Sequence, residues 1–350
     1  MSPPMTGLDR YRADDRRHLE ALCRRTAGTE AAERLKLTWQ WERRQNPAAK
    51  QAAPPWVVRE GTVLVAALTP RPVQLTLQGR EVRGLWLADP LVAAERDRQG
   101  LNELLVRATA RDGDVVLASG LSPSTHDVLE RMRMRPVFPL PCLVKPLSRR
   151  ALRRPDWPQP VNRLVSAVTL PIVRVVARQR PLRESVEVVR RVDASTDALW
   201  AAAAPELGLA ARRDAAFVNW RFAEPPHARY AIAVLRREQA TAGYVVYRHA
   251  QEPRGRVTSV VDFLVAPGDD RALKTLLRWV DREARMADSD KIRCHALHEG
   301  FRRVLRRSGY FGVRSSIHLA VQVNDPGTPR TFYDDTDRWH FTLGDGPADL

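Results

Sequence analysis

The sequence predicts an α/β fold, with an α+β mixed sheet in each of two tandem domains joined by a basic linker. Three observations lead there. The chain has 350 residues, enough for about two cores of ordinary size. One order of strand-like and helix-like runs occurs twice, a repeat of domain size. The positive charge is concentrated between the two runs: from Lys145 to Arg191 twelve Lys or Arg stand against three acids, a surplus of nine out of a net +16. The boundaries that follow are 1–147 for the first domain, 148–183 for the linker and 184–350 for the second domain.

The second half has the cleaner periodicities. SVEVVRRVD, from Ser185, alternates like a strand, and STDALWAAAAPE opens on a Ser or Thr cap and continues as a helix. DAAFVNWRF, Asp214 to Phe222, predicts a second short helix. Three strand-like runs, ARYAIAVL, TAGYVVYRH and RVTSVVDFLVA, then suit an antiparallel meander. In DDRALKTLLRWVDREARMA the apolar residues Leu273, Leu276, Leu277 and Val280 recur at helical spacing, behind Asp269 and Asp270 at the positive end of the helix dipole. KIRCHAL reads as a strand, EGFRRVLRRSG as a helix closed by Gly309, and SSIHLAVQV as a last strand.

The first half repeats much of this. TEAAERLKLTWQWERRQNP is helical; PWVVREG, TVLVAALTP, VQLTLQG and REVRGLWLADPLV are strand-like. LNELLVRATAR is a helix, DVVLASG a strand, STHDVLERMRM a helix and RPVFPLPCLVKPL an extended ending. A local echo accompanies the repeat: WQWERRQNP, Trp39 to Pro47, is similar to VNWRFAEPP, Val218 to Pro226. Between the halves, SRRALRRPDWPQP has the Pro and Arg content of a linker. VNRLVSAVTLPIVRVVARQR follows, with Arg163, Arg174 and Arg178 on one side of a helical projection and a break at Pro171. A solvated helix over the domain seam, an anionic membrane surface and an anionic partner are the open readings of that face.

Cys23, Cys142 and Cys294 are scattered and odd in number, which gives neither a disulfide framework nor a zinc site, and no metal motif is present. The N-terminus lacks an apolar core of signal-peptide length, and no apolar run reaches the roughly 18 residues of a membrane span. A cytoplasmic protein is expected, peripheral to the inner face of the membrane if the linker binds it.

The element order, the aromatic entry WxW…NP or NWR…PP, and the loop AAERDRQGLNELL resemble the GNAT-type N-acetyltransferases, here as two copies in tandem. The closing RWHFTLGDGPADL is similar to a tail of bacterial acyltransferase-like proteins associated with exopolysaccharide and exosortase systems. The resemblance implies acetyl-CoA or another acyl-CoA as co-substrate, no metal, and N-acylation of a small molecule or a cell-envelope polysaccharide precursor. Its cofactor residues would be Leu87 and Ala88 along the pantetheine, and Arg96, Arg98, Gln99, Gly100, Leu101 and Asn102 around the pyrophosphate. The loop departs from the family pattern, because Asp97 stands where an Arg or Gln is expected and Asn102 where a Gly or Ala is expected. The matching place in the second half, VAPGDDRALKTLL, carries two acids after Gly268.

Acyl transfer to an amine needs a base and a proton donor for the leaving thiolate. Asp89 stands near the position the resemblance gives to an acidic base. The position of the family's Tyr holds Leu129 here, and Leu305 in the second half, so His126, one turn earlier, is the candidate substitute. Asp262, in the apolar run SVVDFLVA, is the candidate of the second half, with a buried salt bridge, for instance to an Arg of the linker, as the competing reading. Glu95 is a further carboxylate, and His295 and His318 are strand histidines that would face one cleft. Trp39, Trp41 and Trp220 are either an aromatic platform for a sugar or base or the packed face of a short helix. Two other classes stay open: a catalytically silent double domain that binds through its linker, and a Fem-like transferase using aminoacyl-transfer RNA, which the net charge favours.

Overall fold

The computed structural model describes residues 7–95, 100–132, 134, 137–152 and 184–346. Arg96, Asp97, Arg98 and Gln99 of the loop, and linker residues 153–183 with Arg163, Arg174 and Arg178, lie outside the described residues.

The first half runs β1 (Gly7–Arg10), α1 (Arg16–Ala27), α2 (Thr29–Gln40), β2 (Trp56–Glu60), β3 (Val63–Leu68), β4 (Arg71–Leu77) and β5 (Arg80–Trp86). It continues through β6 (Leu91–Val92), α3 (Leu101–Thr109), β7 (Val115–Ser119), α4 (Pro123–Arg131), β8 (Val137–Pro139) and β9 (Cys142–Pro146). The second half runs β10 (Ser185–Val189), α5 (Ser195–Ala203), β11 (Leu209–Ala211), α6 (Ala215–Val218), β12 (Ala231–Arg237), β13 (Ala240–Glu252) and β14 (Gly255–Val265). Then come α7 (Asp270–Met286), β15 (Lys291–His295), α8 (Glu299–Arg307), β16 (Phe311–Val313) and β17 (His318–Val323). The α/β class with mixed sheets is as predicted. One expected element is split: REVRGLWLADPLV stops as a strand at Trp86, turns at Asp89–Pro90, and resumes as β6 against β3. The Pro supplies no ladder N–H and holds the preceding residue in an extended shape.

Successive side chains of a strand point to opposite faces, and β2 and β3 use both. Val58, Val65, Ala66 and Leu68 pack with Leu101, Leu105 and Val106 of α3 and Val128 and Leu129 of α4. Val57, Leu64 and Ala67 pack on the other side with Leu19 and Leu22 of α1, against which Leu35 and Trp39 of α2 lean. In the second half α7 buries Leu273, Leu276, Leu277 and Val280, the four residues whose spacing predicted it.

The halves are interleaved. One sheet has the order β11-β4-β5-β7-β17-β8 and another β10-β12-β13-β14-β15-β9-β16, so each half places its last strand inside the other's sheet. β9 lies between β15 and β16, and β17 between β7 and β8. The exchange carries a buried charge: Lys145 on β9 meets Asp281 on α7 at 3.0 Å. The sequence echo marks a second exchange. Trp41 and Trp220 each begin or enter a π-helical turn, stack at 4.8 Å between ring centroids, and donate their Nε1–H to each other's carbonyl at 2.7 and 2.8 Å. This reciprocal pair is packed core, and of the three tryptophans in the two echoing segments Trp39 alone is half-exposed.

Candidate functional site

In the first half, parallel strands β5 and β7 are paired only from Gly84↔Val115 to Trp86↔Leu117, with a last bond from Leu87 N–H to the Leu117 carbonyl at 2.8 Å. Beyond it β5 turns away to β3, while β7 continues to Ser119 with β17 as its neighbour. A split therefore opens in the sheet between Ala88 on one side and Ala118 and Ser119 on the other. Of the candidate cofactor residues, Leu87 is fully buried under α3 and Ala88 is half-buried at the split.

Asp89 and His126 each bond Ser122, at the start of α4. The Asp89 carboxylate accepts from the Ser122 N–H at 3.0 Å and from the Ser122 hydroxyl at 2.7 Å, Ser122 being the N-cap of α4. His126 lies one turn on, its backbone N–H bonded to the Ser122 carbonyl, and its Nε2 is 3.8 Å from Glu130. A cavity of about 320 Å³ opens beside His126, lined among others by Ser119, Leu121, His126, Leu129 and His318 but not by Asp89. Leu129 lines this cavity together with His126, whose ring lies 6.4 Å from that of His318. His295 does not share it: strand exchange puts His318 in the first half's sheet and leaves His295 in the second. Burial depresses the His295 imidazole to about 4, aided by the charge of Arg293.

The mouth of the split is the start of α3. Gly100 precedes the helix at φ +69°, a conformation that suits glycine, and a side chain there would meet nothing within 4 Å. The N-cap, Gly100, has no side chain with which to cap α3, and among the described residues no other side chain does so, which leaves the helix start as a candidate anion position. Leu101 is buried as a core anchor, and Asn102 has a buried Oδ1 without a hydrogen-bond partner among the described residues. The acid of the first turn, Glu103, is drawn off by Arg107 and then Arg131, whose hydrogen bonds hold it below the usual carboxylate range.

The second half is closed at each matching position. The parallel ladder of β14 and β15 ends at Val260↔Cys294, and the chain's own segment Trp339–Gly346 fills the gap beyond. Ala296 bridges Thr342, Leu297 N–H bonds the Phe341 carbonyl at 3.1 Å, and a side chain at Gly344 would collide with Phe222 and come within 3.1 Å of the Val261 carbonyl. At the start of α7, Asp269 accepts the Ala272 N–H at 2.9 Å and pairs with Arg237, so the helix end already holds an anion. Asp262 is enclosed: it takes two bonds from Arg213 at 3.0 and 3.1 Å, one from Thr342 at 2.8 Å and one from Tyr244 at 2.7 Å. Arg213 also reaches Asp345 at 2.6 Å. Burial alone would depress the Arg213 guanidinium; the charges of Asp262 and Asp345 outweigh it and hold the group above its usual range. This geometry is a buried ion triad that fastens the C-terminal segment, and among the described residues the arginine partner of Asp262 is Arg213, just past β11.

The sequence singled out neither Ser119 nor the reach of that segment. Arg71 binds the Asp345 carbonyl at 3.2 Å and also that of Gly346, and a side chain at Gly346 would come within 3.1 Å of the Ser119 hydroxyl. The segment thus leaves the closed half at the edge of the open one. Among the described residues no group of three or more His, Cys, Asp or Glu is placed to hold a metal ion.

No protein-family model matches the sequence, and no curated protein matches it. Solved structures do. A GCN5-related N-acetyltransferase from Anabaena variabilis superposes with a TM-score of 0.60 at 11% identity, over 91% of this chain and 73% of that one. The chain has the GNAT fold. A conserved Enterococcus faecalis protein described as a probable N-acyltransferase gives 0.60 at 10% identity, over 90% and 72%. Saccharomyces cerevisiae N-myristoyltransferase with bound myristoyl-CoA gives 0.55 at 12% identity, over 92% and 83%. Each match runs across both halves of this chain.

Proposed function

We propose that the protein is an acyl-CoA-dependent N-acyltransferase whose first half carries the reaction. The observation that supports it is the split between β5 and β7 with the glycine-led start of α3, uncapped among the described residues, at its mouth. The α3 N–H groups would hold the pyrophosphate and the exposed edges at Ala88, Ala118 and Ser119 the pantetheine. Loop residues Arg96, Arg98 and Gln99 are assigned to the same phosphates on the resemblance alone.

In the reaction, the acceptor amine attacks the thioester carbonyl; the C–N bond forms, the C–S bond breaks, and the amine proton leaves for a base. Asp89 is the candidate base. His126, at the wall of the cavity where the fold's phenol is replaced by Leu129, is the candidate to protonate the thiolate. The acceptor we infer is the amino group of a small molecule or of a cell-envelope polysaccharide precursor, and acetyl-CoA is the donor to try first.

Thiol release from acyl-CoA donors of two to fourteen carbons, measured with a panel of amines, tests this. Amine-dependent release that falls by about 10²-fold or more in His126→Ala supports the reading. A chain that neither binds nor turns over any donor of the series rejects it.

A further inference from the structure

On the face of the first half opposite α3 and α4 lies a second cavity, of about 440 Å³, within the range of small-molecule sites. Its walls come from the start of α1, the end of α2 and the loop before β2, and include Tyr11, Arg16, Trp39, Arg43 and Arg44. Pro72 closes one side, and its strand register places it opposite Leu85, next to the Arg71↔Trp86 pair after which the sheet splits. The cavity therefore adjoins the end of the sheet where the split opens, from the side not covered by α3 and α4.

Its charge is unbalanced. Arg16 is paired with Glu20 at 2.5 Å, but Arg43 and Arg44 have no ion pair among the described residues. The Nη2 of Arg43 is buried and without a hydrogen-bond partner among the described residues. A buried donor of a charged group is costly to leave unmatched, and burial already draws the Arg43 guanidinium below its ordinary value. Trp39 lies within 5.6 Å of the Arg43 guanidinium and 4.9 Å of that of Arg16, and its ring is 5.2 Å from that of Tyr11. The cavity thus offers aromatic and apolar walls with a cationic end at Arg43 and Arg44, on which Glu42 acts through space without forming an ion pair among the described residues.

We propose that this cavity binds an oxyanion, phosphate or carboxylate, carried on an apolar or aromatic body, and that this is the anionic end of the acceptor. The second clause rests on the acyltransferase reading; the first does not. An acceptor held here by its anion would reach the split from the face opposite the acyl donor, with its amine leading.

Calorimetry on the full chain at low salt tests it, with phenyl phosphate and phenylacetate as probes, benzyl alcohol as the neutral control and acetyl-CoA titrated separately. The expected result is binding of one or both anions without binding of the alcohol, weakened about tenfold or more in Arg43→Met and more than threefold in Arg44→Glu. Which anion binds tells phosphate from carboxylate acceptors. Arg44 is exposed, so its variant keeps the test alive if Arg43→Met does not fold. Equal binding by wild type and both variants, or no anion binding at all, overturns the pocket whether or not acetyl-CoA binds. Anion binding without acetyl-CoA binding leaves the pocket standing and removes the acceptor role.

Discussion

Helices α3 and α7 occupy matching places in the two halves and begin in opposite ways. α3 starts after a left-handed glycine, with no side-chain cap among the described residues and with its first-turn acid tied to Arg107 and Arg131. α7 starts under Asp269, which fills the anion position from within the chain. The sheets differ in the same sense. The β5–β7 split leads to a cavity, whereas the β14–β15 gap is filled by Trp339–Gly346 and locked by Arg213 between Asp262 and Asp345. The first half is thus open where the second is sealed, and the sealing residues are acids and a tail where the open half has a glycine.

The comparison can be broken hardest at its lock. Arg213→Leu leaves two carboxylates buried without their cation, and should lower the unfolding free energy by about 3–5 kcal/mol in a urea titration. Retention of wild-type stability would mean that the triad does not fasten the tail. A second test lies in pH. His295, on the sealed side, titrates near 4 in the folded chain against an ordinary 6.5, so between these values the unfolded chain binds the extra proton. Stability from this group is complete above pH 6.5 and is lost as pH falls toward 4, by about 2 kcal/mol at pH 5. His295→Gln should narrow the drop in melting temperature between pH 7.5 and 5; an unchanged drop assigns it to other groups.

On the open side, Gly100→Val forces a branched side chain into a left-handed backbone and should cost about 1–2 kcal/mol of stability, read by thermal melting, as well as weaken acyl-CoA binding. The smallest effect is expected at the sealed helix. Asp269→Ala removes a cap, for about 1 kcal/mol by urea titration, and should not create a second acyl-CoA site, because the tail still fills the gap. A new site in that variant would show that the cap alone closes the second half.

Much of this architecture was legible in the sequence and some was not, for reasons of range. The helices with strong periodicity, α7 above all, follow from local spacing, and the echoing segments of Trp41 and Trp220 are joined by mutual hydrogen bonds. Asp89 and His126 could be named as candidates because each stands at a turn or helix start that local rules mark. Strand exchange was not legible: β9 and β17 pair with strands far away in sequence, and alternation says that a strand exists but not which sheet takes it. The same gap in local information set His295 and His318 in one cleft. It also left the partner of Asp262 misplaced, since an acid in an apolar run signals a partner without naming it.

The claim that one half is open and the other sealed is tested most directly by the stoichiometry of acetyl-CoA binding, titrated calorimetrically into wild type, Gly100→Trp and Asp269→Ala. The account predicts one site per chain in wild type, none in Gly100→Trp and one in Asp269→Ala. Two sites in wild type, or binding that survives Gly100→Trp, would contradict it.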